Sequence, residues 1–173
     1  MEGSSTMNKI FTDDPLVHYK SSGIDPNRTK AEIDAILGYW KVSDVHWHWK
    51  PEQNDVYIQF LLEETIDERP VKATVKVVCP TIWDKERPRA RPPQTEQVNW
   101  KVSMRAMWWF IKTHLEMAYA MQSSKTVAFL PYLASADGHR VLHEMIIPHL
   151  GDLEKLQALP EIRQEEKAKV IDV

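Results

Sequence analysis

The sequence predicts an α+β fold: a two-layer domain in which a three-stranded antiparallel meander is covered by a long helix, in the order α-β-β-β-α-α. Three observations lead there. Apolar residues recur at helical spacing over 29–40 and again over 97–122. Between them, three stretches alternate apolar and polar side chains and are separated by short turn clusters. A sheet with one apolar face needs a cover, and the two helical segments supply it.

Residues 1–25, rich in Ser, Asp and Gly, read as a flexible N-terminal lead-in. Thr29 followed by Glu32 has the form of a capping box, after which Ile33, Ile36, Leu37 and Trp40 make one stripe. In 45–49, Val45, Trp47 and Trp49 share a face opposite His46 and His48. In 56–63, Val56, Ile58, Phe60 and Leu62 face one way; in 71–78, Val71, Ala73, Val75 and Val77 alternate with Lys72, Thr74 and Lys76. Turn clusters at 51–55 and 67–70 join these strands. Pro80 ends the sheet signal, and the prolines of 80–93 exclude regular structure there. From 97 to 122 neither Pro nor Gly interrupts a stripe through Trp100, Met104, Met107, Trp108, Ile111 and Leu115. Trp109, Phe110 and Met117 fall off that stripe, so the helix is packed on two sides or exposes a patch for a partner. A short helix is expected over 141–147, ended by Pro148. The organisation is one domain over 26–150 and a charged tail over 151–173.

Composition narrows the class. At 173 residues, with 43% apolar and 27% charged side chains, the chain is neither wholly disordered nor collagen-like nor a rod. No apolar run is long enough for a membrane span, and no secretory signal is visible, so a cytoplasmic protein is expected. The single cysteine, Cys79, makes no internal disulfide. Charge is uneven: residues 1–70 hold 7 basic and 13 acidic side chains, whereas residues 71–125 hold 10 basic and 4 acidic. Such asymmetry either marks an anionic partner or reflects pairing between segments across the fold.

Lys85, Arg87, Arg89 and Arg91 alternate with Glu86, Pro88 and Ala90. Extended, they present cations spaced at ~6–7 Å, comparable to phosphates along a single strand. Lys72 and Lys76 extend the row, and Trp83 beside it offers a face for an unpaired base. The opposing interpretation is a solvated loop whose charges meet acidic residues of the first third. Among other candidates, His46 and His48 leave one strand face together and offer two imidazoles to a metal, with His18 or Glu63 as a further ligand. Cys79 reads as a small apolar residue rather than a nucleophile. Glu63 and Glu64 point to opposite faces and read as solvated hairpin residues. No phosphate-binding glycine loop, zinc-protease helix motif or serine elbow is present, and no cofactor is expected.

The stretch WWFIKTHLEMAYAMQSS (108–124), followed by FLPYLASADGHRVLHEMIIPHL (129–150), resembles the C-terminal pattern of a large group of uncharacterised proteins from bacteriophages and prophage-carrying bacterial genomes. The resemblance extends over roughly Thr29–Leu150. It implies a compact accessory protein of a mobile element and supplies no mechanism.

Two main functions remain open, with no membrane partner in either. The first is a non-enzymatic accessory protein that binds single-stranded DNA or RNA in replication or recombination through Lys72, Lys76, Trp83, Lys85, Arg87, Arg89 and Arg91. The second is a protein–protein module that binds or blocks a host or phage protein through Trp109, Phe110 and Met117. A metal-dependent nuclease built on His46 and His48 is the weakest alternative.

Overall fold

The structure, a computed structural model, describes residues 9–66, 68–86, 89, 95–135, 138 and 140–146. The chain is α+β. Its elements are β1 (Ile10–Phe11), α1 (Pro26–Tyr39), β2 (Ser43–Lys50), β3 (Asp55–Ile66), β4 (Arg69–Val78), β5 (Ile82–Asp84), β6 (Gln97–Val98), α2 (Trp100–Ala120), α3 (Lys125–Ala128) and α4 (Leu142–Ile146). Single 3-10 turns lie at Pro51–Gln53 and Leu130–Tyr132.

One three-stranded sheet has the order β2-β3-β4 with antiparallel neighbours. Its register places Trp47 beside Ile58, and Ile58 beside Val77. Alternation along each strand therefore gathers Ile58, Phe60 and Leu62 of β3 with Val75 and Val77 of β4 on one buried face. Ile33 and Leu37 of α1 and Met104, Met107, Ile111 and Leu115 of α2 close over that face. Contacts advance together along the two helices. Glu32 meets Arg105 at 2.5 Å, and the Trp40 ring meets that of Tyr119. The helices thus run side by side in the same direction.

The element order departs from the expectation. A second three-stranded sheet, β1-β5-β6, lies within segments read as lead-in and loop, with β1 parallel to β5. Pro80 ends β4, and a new strand starts two residues later at Ile82. Residues 9–25 contribute β1 and the buried Val17; residues 1–8 and the tail 151–173 lie outside the described residues.

α1 begins a turn earlier than the capping-box reading. Asp25 is its N-cap and accepts a hydrogen bond from Asn27 N, and Pro26 fills the first position, where a missing amide costs nothing. Thr29 is buried inside the helix, and Glu32 is held below the usual carboxylate range by the Arg105 guanidinium. α2 has 21 residues, shorter than the 97–122 stripe, because Gln97 and Val98 pair with β5 and Asn99 caps the helix by accepting from Val102 N. Asp84 in turn accepts from Asn99 Nδ2 at 3.1 Å and from Thr12 Oγ1 at 2.9 Å, which ties the second sheet to the start of α2.

Glu64 also departs from its solvated reading. Its carboxylate accepts from Ser124 Oγ (2.7 Å), Lys125 N (2.9 Å), Thr126 N (2.8 Å) and Thr126 Oγ1 (2.8 Å). A side chain of β3 thereby caps α3, a helix too short to stand alone. Burial opposes ionisation here, but these four donors outweigh it and hold the Glu64 carboxyl below its ordinary range. Phe129 follows α3 and is fully buried against Phe60, Phe110 and His114. Glu64 and Phe129 together fix the segment beyond α2. The short C-terminal helix is described from Leu142 to Ile146; Pro148 lies outside the described residues.

Candidate functional site

The cations of the phosphate-binding reading lie beside acidic and aromatic partners. Lys72 is paired with Glu63, its cross-strand neighbour. Lys85 Nζ lies 2.7 Å from Asp13 Oδ2. The Lys76 ammonium lies 4.4 Å from the centre of the Tyr57 ring. Trp83 is half-buried in β5, with Lys9 Nζ 4.4 Å from its ring centre. Arg89 is exposed, and Arg87 and Arg91 lie outside the described residues. Three cations of residues 71–125, Lys72, Lys85 and Arg105, thus meet acids of the first 70 residues. This is the pairing across the fold that the charge asymmetry allowed.

His46 and His48 do leave the same face of β2, opposite Gln59 and Tyr57. The His48 ring stacks on Tyr57 with centres 4.5 Å apart, and its Nε2 lies 2.7 Å from Asp55 Oδ2. Among the described residues, no group of three His, Cys, Asp or Glu side chains is placed to hold a metal ion. Cys79 is buried with its Sγ 3.8 Å from Met104 Sδ, and burial pushes the thiol up to about 12. The thiolate is the reactive form, so Cys79 is expected to resist a thiol reagent at pH 8 in the native protein and to react once denaturant is added. Rapid native labelling would contradict its burial.

The residues read as a second apolar face of α2 separate into two kinds. Phe110 is half-buried against Phe129 and Tyr132, and Trp109 is half-buried under Tyr19, stacked at 5.6 Å. Both are internal contacts, because Tyr19 and Tyr132 come from segments that the helical stripe does not reveal. Met117 is exposed.

Large exposed apolar side chains gather within about one turn of Met117, at the C-terminal end of α2. Tyr119 is 75% exposed and Met121 68%; Val127 and Leu130 follow from the next segment, and Tyr39, 80% exposed, stands at the end of α1. Two grooves flank the end of α2. One, of about 400 Å³, is lined by His114, Met117, Met121 and Val127. The other, of about 530 Å³, runs between the two helices and is lined by Ile36, Tyr39, Trp40, Lys112, Glu116 and Tyr119. Spacing gave partial access to this site: Met117 lay off the stripe, and so do Tyr119 and Met121. What spacing could not show is that α1 ends at the same place, bringing Tyr39 and Trp40 beside Tyr119.

Among the described residues no helix is long and apolar enough to cross a membrane. No family model matches the chain, and no curated protein or solved structure matches it.

Proposed function

We propose that this protein is a non-enzymatic protein–protein interaction module that docks through the C-terminal end of α2. The observation that carries the reading is the concentration of exposed Met117, Tyr119, Met121, Val127 and Leu130 within one short stretch of chain. Scattered apolar residues are ordinary on a surface; a gathered set flanked by grooves is characteristic of interfaces, where Tyr and Met are enriched. α3 is pinned from beneath by Glu64 and Phe129, so the patch is presented on a fixed support. Binding a host or phage protein fits the accessory role that the phage resemblance implies. The nucleic-acid reading has less support, since Lys72 and Lys85 already sit against carboxylates.

Photo-crosslinking tests this. A photoreactive residue at position 121 is expected to give a discrete adduct in the cells that make the protein. The same residue at the exposed position 95 gives none, and Val127→Asp removes the adduct. Absence of an adduct from 121, together with salt-sensitive binding of a single-stranded oligonucleotide lost on substituting Lys85 and Arg89, would establish the nucleic-acid reading instead.

A further inference from the structure

The two edges of the β2-β3-β4 sheet differ. On β4, Ala134 N donates to Thr74 O at 2.8 Å and Leu133 bridges Val75, so part of that edge is covered from within the chain. On β2, the direction of the outer backbone groups follows from one bond. Cys79 N donates to Val56 O at 2.8 Å, so the backbone groups of Val56 point toward β4, and alternation turns those of Asp55, Tyr57 and Gln59 toward β2. Their partners in register, Lys50, His48 and His46, therefore bond inward, and the N–H and C=O groups of Trp47 and Trp49 point away from the sheet. Among the described residues, no backbone group bonds them. A bulge between Ser43 and His46, with Asp44 at φ 49°, closes this open run at Val45. Trp49 beside it is 39% exposed. The exposed Asp44 and Lys50 stand at opposite ends of the strand, and neither makes an ion pair among the described residues. Lys72, whose charge Asp44 also favours, is held by Glu63.

We propose that the open edge of β2 receives the same edge of a second copy of this chain, antiparallel and centred on Trp47, so that two three-stranded sheets join into one. The strand itself argues for this occupant. A two-fold axis at Trp47 sets Trp47 beside Trp47 of the second copy, Trp49 beside Val45 of that copy, and His46 beside His48 of that copy. Outward-pointing residues then meet outward-pointing residues, the phase that an antiparallel ladder needs. A slip of one residue would set them against groups already bonded inward. The same register brings Asp44 to Lys50 of the second copy, and the axis repeats the contact at the other end. Moving the axis to His46 or His48 keeps the phase but separates these opposite charges. Exposed Trp49 gains a β-branched neighbour, a favoured cross-strand pair. This goes beyond the docking reading, since β2 supplies no residue of the patch at the end of α2.

The test uses the full chain at pH 8. Sedimentation equilibrium is expected to show monomer in exchange with dimer. Lys50→Glu sets like charges together at both ends of the ladder and is expected to weaken association about tenfold; adding Asp44→Lys is expected to restore it. Both positions are exposed, so the variants should fold, which circular dichroism checks. Oxidation reads the register. A directly opposed pair without mutual hydrogen bonds brings Cβ atoms close enough for a disulfide, whereas positions 46 and 48 of one strand lie ~6–7 Å apart along it. The double variant His46→Cys/His48→Cys is therefore expected to give a covalent dimer on mild oxidation, and each single variant a monomer; Cys79 is buried and takes no part. A chain that stays monomeric at millimolar concentration, a dimer indifferent to Lys50→Glu, or equal crosslinking by the single variants would each overturn the proposal. Crosslinking from position 121 reads a different surface, so this proposal and the docking reading fail separately.

Discussion

Replacing Glu64 with alanine is expected to cost about 3 kcal/mol of folding stability, because four donors lose one charged acceptor. Ser124, Lys125 and Thr126 supply those donors, and the two backbone amides among them open α3. Glu64→Gln keeps the shape but not the charge and turns an amide NH₂ toward donors; a loss of about half that size is expected. The pH dependence follows from the sign of the shift. The folded carboxyl lies below its ordinary value of 4.5, so ionised Glu64 stabilises the fold fully above pH 4.5. That contribution fades as pH falls through the folded value, and the wild type and Glu64→Gln then converge. Urea midpoints at pH 7 and at successively lower pH read both effects. Equal midpoints at pH 7 would remove Glu64 from its capping role.

Phe129→Ala is expected to be the most damaging single truncation, at about 3–5 kcal/mol. The ring is fully buried, edge-on to Phe60 at 5.6 Å and tilted against His114 at 5.2 Å. A drop in melting temperature on the order of 10 °C is expected for a chain of this size. Phe129→Leu, which retains most of the volume, should lose well under half as much. Glu64 and Phe129 hold the same segment from its two ends. Their double variant should therefore lose less than the sum of the singles, because the second loss falls on a segment already released. Strict additivity would mean that the two act on independent parts of the fold.

Alternation made the faces of β2, β3 and β4 legible, since a period of two survives any tertiary arrangement that buries one side. The α2 stripe was legible for the same reason. β1 and β6, each of two residues, carry no period to read and exist only because β5 lies between them. The start of α1 was misplaced because Thr29 and Glu32 have capping spacing, while Asp25 followed by Pro26 carries the stronger signal. α3 was invisible because the residue that caps it lies some 60 positions earlier. For the docking surface, Met117 was within reach of the helical pattern. Tyr39, Trp40 and Tyr119 required knowing that two helices end together. The pairing of Lys72 and Lys85 with acids likewise depends on register and on the second sheet.

The parallel pairing of β1 with β5 has a consequence for how the chain is made. Thr12 and Asp84 are 72 residues apart, so the first strand emerges from the ribosome long before its partner exists. β2, β3 and β4 assemble by short-range contacts in the meantime, but α2, which covers their apolar face, is synthesised last of these. At about 5–20 residues per second, that face waits several seconds for its cover. Through that interval the nascent chain carries the acidic excess of residues 1–70, and like charge keeps neighbouring unfinished chains apart. Lys72 and Lys85, which pair with two of those acids, are synthesised before α2, and Arg105 arrives with α2 itself.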